Sequence, residues 1–530
     1  MNRVRRALVP VLLASGLAAL LPACLTSSDV NCSNNTVRCG DTCVATQSDP
    51  KNCGSCGSAC NQGNVCVAGS CVCPTGAVTC NGTCTFLSGD LNNCGACGNV
   101  CGTGNICSGG SCFSCSGGDG GLLAECQLSL LAGCIDSSGS GMRKVTFDTT
   151  YTLDLGPVQA PSSATFPDAL GFFGSNVLYS DHDSASILEV PYSDLTQKSA
   201  EVLPLTNSTT GSVAGTNLVL TEAHGTGSRV YVMASSINAL KIFDSPLPPD
   251  AGSILLPGGG VGALGLVASG GFAFDPGSFP EPFARLNDGT SNAAFVPLNV
   301  GDEVVRLDVS NPAAISQVDS YDLTAAVASL PGGGTLADGG MYAASPTQAI
   351  LRNGKVYVAT NVLRLRPDFH ADYGPGLVAV IDPIKTGAAA VTPLPLATTC
   401  QNVEWVARVP ASGGDQMLVS CAGARTYDDN FNILSVANTA LLLLGANDQP
   451  LATWVPDNAP SAGGANPPSV GRAISLGSRV YVADETASRL YVLELVNNAF
   501  VERVGYADAG TPPQLCDIFL IDLQPVPLLP

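Results

Sequence analysis

Arg229-Val-Tyr-Val-Met233 recurs as Lys355-Val-Tyr-Val-Ala359 and again as Arg479-Val-Tyr-Val-Ala-Asp484. Looser copies read Asn176-Val-Leu-Tyr-Ser-Asp181, Ala294-Phe-Val-Pro-Leu-Asn299 and Gln416-Met-Leu-Val-Ser-Cys421. β-Branched and aromatic side chains of this kind suit a pleated strand. A second apolar run follows each copy, at 187–190, 240–243, 304–309, 377–381, 441–444 and 490–495. Gly, Pro, Asn and Asp punctuate the intervals, as turn residues do. The second residues of the six phrases stand at 177, 230, 295, 356, 417 and 480, so the gaps are 53, 65, 61, 61 and 63. A repeat near 60 with about four strands predicts the blades of a β-propeller with loop insertions.

Six phrases give at least six blades, and strand material remains at 145–155 and 517–523. Cys516-Asp-Ile-Phe-Leu-Ile-Asp522 matches Cys400-Gln-Asn-Val-Glu-Trp405, the inner strand that precedes a phrase. The segment at 517–523 is therefore expected to pair with N-terminal strands in a composite seventh blade, which removes open sheet edges. Six blades is the alternative. Cys400 and Cys421 are expected on one face of neighbouring strands and to bond. Cys516 is expected near Cys115, Cys126 or Cys134, where a bridge locks the ring.

The phrase resembles the YVTN and NHL-type propeller families over roughly residues 145 to 530. That resemblance implies that the residues closing the phrases gather toward one mouth of a channel. The column reads Asp181, Ala234, Asn299, Thr360, Cys421 and Asp484. Lactonase-type propellers hold Ca²⁺ at such a mouth through oxygen ligands, and here Asp181, Asn299 and Asp484 are the members able to contribute. The plainer reading takes these residues as turn formers that end strands, with no metal and no cofactor.

The chain of 530 residues carries 23 basic and 43 acidic residues, a net charge of −20, with 45% hydrophobic and 12% charged residues. Gly (59) and Pro (36) imply many turns. This excludes a coiled coil, a nucleic-acid binder acting by bulk charge, and disorder along the whole chain.

Arg3, Arg5 and Arg6 precede an apolar run at 7–21, the layout of a cleaved export signal over 1–23. Leu21-Pro22-Ala23-Cys24 resembles the lipobox of bacterial lipoproteins. The resemblance implies that Cys24 is acylated and begins a lipidated linker, 24–31. Leu25, where enteric lipoproteins retained at the inner membrane commonly carry Asp, leans toward the outer membrane or cell surface of a Gram-negative bacterium.

Cysteines fall at Cys32, Cys39, Cys43, Cys53, Cys56, Cys60, Cys66 and Cys71, and again, each 41 residues later, at Cys73, Cys80, Cys84, Cys94, Cys97, Cys101, Cys107 and Cys112. The match makes 32–112 a tandem duplication. Export favours disulfides over zinc, since thiols pair outside the cytosol. A module of about 40 residues also buries too little apolar surface to fold without crosslinks. Eight cysteines allow 105 connectivities, and the sequence chooses none. The spacing Asn-Cys-Gly-x-Cys-Gly-x-x-Cys resembles the stigma-specific cysteine-rich family, which implies an extracytoplasmic spacer or binding module. A cysteine-containing hinge is expected at 113–144, and the propeller at 145–530.

No Gly-x-Ser-x-Gly or His-Glu-x-x-His occurs, and His182, His224 and His370 read as loop residues. Gly260-Val-Gly262-Ala-Leu-Gly265 matches a dinucleotide pattern without its helix or acidic partner, so it reads as a loop. Asp428-Asp429 reads as a solvated loop. The expected function is a non-enzymatic binding platform for a protein or carbohydrate ligand, held to a lipid bilayer, with the cysteine modules as a stiff stalk. The alternative is a lactonase-like hydrolase with a Ca-type ion at the channel mouth. A polysaccharide binder needs exposed aromatics; of Trp405 and Trp454, Trp405 is expected in a core.

Overall fold

The computed structural model describes stretches of residues 32–114 and most of 129–526, outside segments of which the longest are 205–215, 248–265, 457–466 and 503–514. Residues 1–31, and with them the leader and Cys24, lie outside the described residues. The chain divides into two compact units, Met1–Val72 and Cys73–Pro530.

The first unit is a cysteine module. Val37–Cys39 pairs with Thr42–Val44 and Val65–Val67 with Ser70–Val72, each a three-residue hairpin strand. Four disulfides join Cys32 to Cys43, Cys39 to Cys56, Cys53 to Cys66 and Cys60 to Cys71. Few large apolar side chains are available here, and Val37 and Val72 are exposed. Crosslinks therefore supply the constraint that a core supplies in larger domains.

The second unit repeats the hairpins at Val78–Cys80 with Thr83–Thr85 and at Asn105–Ser108 with Ser111–Ser114. Its Cys80–Cys97 bond is the Cys39–Cys56 bond moved on by one repeat. Cys73, Cys94 and Cys101, and the side chains of Cys84, Cys107 and Cys112, lie outside the described residues.

The rest of this unit is a seven-bladed propeller. Six four-stranded antiparallel blades run over 167–204, 218–273, 284–322, 346–395, 403–454 and 470–502, and are numbered 1 to 6 here. The quoted phrases are the second strands. Gly227–Ala234 is buried at every position and Lys355–Thr360 at all but the first, because each such strand is covered by a blade on either side. That is why they read as continuous apolar runs rather than as alternation. Outer strands such as Ser316–Asp322 are largely exposed and polar. Seven apolar clusters fill the seven junctions between blades; Phe295 and Val304 meet Val356 and Val358 between blades 3 and 4, for example.

Blade 7 is composite. Phe519–Pro525 is its inner strand, followed outward by Ser129–Asp136, Gly139–Phe147 and Leu153–Leu155. Leu520 lies opposite Cys134, and Cys134 is bonded to Cys516. Ser129–Asp136 and the first part of Gly139–Phe147 fall in the segment read from sequence as a hinge, so blade strands begin at Ser129 and not at 145. The Gly/Ser-rich run at 137–141 suggests a linker, but Gly139, Ser140 and Gly141 pair with Asp136, Ile135 and Cys134. Gly141 is needed for packing: a Cβ there would lie 2.5 Å from the Gln159 carbonyl oxygen.

Candidate functional site

Inner strands begin, and second strands end, at the same end of the propeller: Pro167 lies opposite Asp181, Pro346 opposite Thr360, Val403 opposite Cys421 and Val470 opposite Asp484. This end is called the mouth. Inner strands of five blades carry a β-bulge here, between Pro167 and Leu170, Pro346 and Gln348, Val403 and Trp405, Val470 and Ala473, and Leu520 and Asp522. A bulge adds one residue and re-aims the side chains beside it. Thr347, Glu404 and Arg472 are bulge residues, and all three line a cavity of about 220 Å³ at the mouth, with Asn361, Trp405 and Asp522.

The cavity is an arrangement of paired charges around one indole. The Arg472 guanidinium carbon lies 4.1 Å from the centre of the Trp405 ring, a cation–π stack. Arg472 also pairs with Asp522, whose side chain is 3% exposed. Asp522 Oδ2 accepts from the Leu170 amide at 2.8 Å, and Oδ1 from the Leu523 amide at 2.7 Å. Glu404 Oε1 accepts from Asn402 Nδ2 at 3.1 Å and lies 3.5 Å from the Arg425 guanidinium. Thr347 Oγ1 donates to the Glu404 carbonyl at 3.0 Å. Asn361 Oδ1 is buried with no hydrogen-bond partner among the described residues.

Many of these contacts also stitch blade to blade. Leu170 to Asp522 joins blades 1 and 7, Arg472 to Asp522 joins 6 and 7, and Thr347 to Glu404 joins 4 and 5. Gln348 Oε1 accepts from the Val406 amide at 2.8 Å across the 4–5 junction, and Asn217 Nδ2 donates to Glu281 Oε2 at 2.9 Å across the 2–3 junction. Groups held from two directions are pre-organised. Blades 4 and 5 each insert a hairpin beside the mouth, Leu363–Leu365 with Ala371–Tyr373 and Ala424–Tyr427 with Ile433–Ala437. Arg425 comes from the second hairpin, and the His370 ring stacks on Tyr427 with centroids 5.9 Å apart.

Glu281 is the most perturbed carboxyl described here. Burial pushes its pKa up to about 8 from 4.5, against the opposing effect of the Asn217 hydrogen bond. Burial likewise lifts Glu189 to about 7, opposed by Asn176. Between pH 4.5 and 8 the folded chain then holds protons that the unfolded chain has released. Stability therefore falls as pH rises through that window and levels off above it. Glu281→Gln is expected to leave the urea midpoint unchanged at pH 4.5 and raise it at pH 8.5; parallel pH profiles for the two chains would refute this.

Of the expected metal column, Asn299 and Asp484 are described in full. The side chain of Asp181 lies outside the described residues, as do His182, Asp429 and Gly260, Gly262 and Gly265. Asn299 Nδ2 donates to the Pro346 carbonyl at 3.2 Å. Asp484 is buried, and its Oδ1 accepts from the Ser469 amide at 3.1 Å and the Thr486 amide at 3.0 Å. Thr360 Oγ1 donates to the Leu377 carbonyl at 2.6 Å, and Cys421 is bonded to Cys400. Among the described residues, the group of three His, Cys, Asp or Glu side chains near enough to share an ion is Cys53, Cys60 and Cys71, and those sulfurs are already in disulfides.

Trp405 departs from its expected place. It is half-buried in the cavity wall, because the bulge at Glu404 turns it toward the axis. Trp454 is the core tryptophan, 8% exposed, with Nε1 donating to Glu502 at 3.1 Å. Arg472 and Asp522 were not singled out from sequence as site residues. The available signal was a charged residue inside an otherwise apolar inner strand, Val470-Gly-Arg-Ala-Ile-Ser-Leu476.

No protein-family model matches the chain, and no curated protein matches it. Solved structures align with it over most of their length at low identity. A protein from Lactobacillus plantarum is 12% identical, with 76% of this chain and 99% of that chain covered at a TM-score of 0.43. A candidate 6-phosphogluconolactonase from Bacteroides uniformis is 11% identical, with 76% and 99% covered at 0.42. A virginiamycin B lyase from Staphylococcus aureus, crystallised in a catalytically inactive form with quinupristin, is 10% identical, with 71% and 98% covered at 0.40.

Proposed function

We propose that the chain is an extracytoplasmic protein tethered to a lipid bilayer through Cys24, whose propeller holds a ligand at its mouth without transforming it. Charge balance supports the binding reading most: Glu404 and Asp522 are matched by Arg425 and Arg472 around one small cavity. Groups paired in this way are ready donors and acceptors, not a nucleophile beside its base. The seven described disulfides support export, since such bonds persist where thiols are oxidised.

Two measurements test the reading. Cells fed labelled palmitate are expected to label the native chain, and Cys24→Ala to abolish the label and release the protein from the membrane fraction. Label retained in the variant overturns the anchor. The hydrolase reading, with an ion held by Asp181, Asn299 and Asp484, makes the opposite forecast for melting: Ca²⁺ raises the midpoint by several degrees and EDTA reverses it. Under the binding reading the midpoint moves by less than about 1 °C.

A further inference from the structure

Resting on the binding reading, we infer that the mouth takes a neutral sugar ring of an oligosaccharide, stacked on Trp405 and hydrogen-bonded by Asn361, Thr347 and the paired charges of Arg472, Asp522 and Glu404. The first argument is size. A cavity of about 220 Å³ is below the roughly 300–1,000 Å³ of sites for drug-sized ligands and suits a single ring.

The second argument is charge. An anion would have to draw Arg472 away from Asp522, whose 3% exposed carboxylate would be left buried and unpaired. It would also approach a chain of net charge −20. A cation would have to displace Arg425 from Glu404. A hydroxyl does neither: it donates to a carboxylate and accepts from a guanidinium, so vicinal hydroxyls can bridge a charge pair without breaking it.

The third argument is the chemistry of the wall. Trp405 supplies a half-buried indole that lines the cavity; Arg472 lies over one face, so the C–H side of a pyranose would take the face or edge that the guanidinium leaves uncovered. Asn361 lines the cavity, and its Oδ1, which no described residue satisfies, would meet a ligand hydroxyl after rotation of the buried amide. The hairpins of blades 4 and 5 carry a second aromatic pair beside the mouth, His370 stacked on Tyr427.

The chain has two tryptophans, so Trp454→Phe leaves Trp405 as the sole indole reporter. This variant is titrated with cellobiose, maltose, N,N′-diacetylchitobiose and, as an acidic probe, digalacturonic acid. A saturable shift in emission with at least one neutral sugar below roughly 10 mM is expected. In the otherwise native chain, Trp405→Ala should weaken that binding at least tenfold by calorimetry. Thr347→Val, which keeps the indole and the charge pairs but removes the hydrogen bond to the Glu404 carbonyl, should lower the melting midpoint slightly and weaken sugar binding severalfold at a temperature where the variant is fully folded.

No response to any neutral sugar, a response to the acidic probe alone, or equal binding by Trp405→Ala overturns the inference. If Trp405 emission instead responds to a peptide library and to no sugar, the sugar assignment fails while the binding reading stands. If nothing shifts the emission and Ca²⁺ raises the melting midpoint, both fail.

Discussion

A chain carrying Cys134→Ala and Cys516→Ala loses about 3–5 kcal/mol of stability to denaturant under oxidising conditions. The bond joins residues 382 apart, and a crosslink that closes a long loop removes more freedom from the unfolded chain than one that closes a short loop. Both cysteines are fully buried in the apolar cluster between blades 6 and 7, so removing the sulfurs also thins that packing. Cys400 and Cys421 provide the control. They too are fully buried, but they lie 21 residues apart. The packing losses should be alike, so the Cys134/Cys516 variant is expected to be the weaker of the two by roughly 2.5 kcal/mol on chain entropy alone. Equal midpoints for the two double variants would show that main-chain pairing between Phe519–Pro525 and Ser129–Asp136, not the crosslink, keeps the ring closed.

Arg352→Met is expected to cost about 3–4 kcal/mol. The Arg352 side chain is completely buried at the end of the blade 4 inner strand, away from the mouth. Its Nε donates to the Asp415 carbonyl at 2.8 Å, one terminal nitrogen to Asp448 Oδ1 at 2.5 Å, and the other to the Gly445 carbonyl. The guanidinium also lies over the Tyr357 ring, whose hydroxyl donates to Asp448 Oδ2 at 3.1 Å. Methionine fills the volume but removes one donor from each of two carbonyls and a carboxylate, and takes the positive charge away from Asp448, which keeps only the Tyr357 hydroxyl. Arg352→Met with Asp448→Asn should recover part of the loss, because the stranded charge goes while the left-handed turn at 448 keeps a residue that tolerates it. A urea midpoint for Arg352→Met within error of native would show that solvent replaces the guanidinium at this junction.

The second strands were legible from sequence because burial on both faces forces them to be apolar throughout. The phrase ending at Asp484 and the one beginning at Asn176 coincide with strands Arg479–Asp484 and Asn176–Asp181. The composite blade was legible for a related reason: Cys516 to Asp522 reads like Cys400 to Trp405, and both stretches lead into inner strands. The start of that blade was not legible, since Gly139 and Gly141 carry no side-chain pattern from which to count a strand. The site was less legible still. Bulges at Thr347, Glu404 and Arg472 break the period of two on which any sequence count of faces depends. Trp405 illustrates the failure: one inserted residue moves it from the expected core to the cavity wall.

The seventh sheet also has a consequence in time. Its outer three strands lie within 129–155 and its innermost within 519–525, so hundreds of residues are synthesised between the two parts. While the chain emerges, Ser129–Asp136 presents an unmatched hydrogen-bonding edge that any passing strand could occupy. Ring closure thus waits until the last strand of the propeller has been made, and escort by a holding chaperone would be most valuable in that interval.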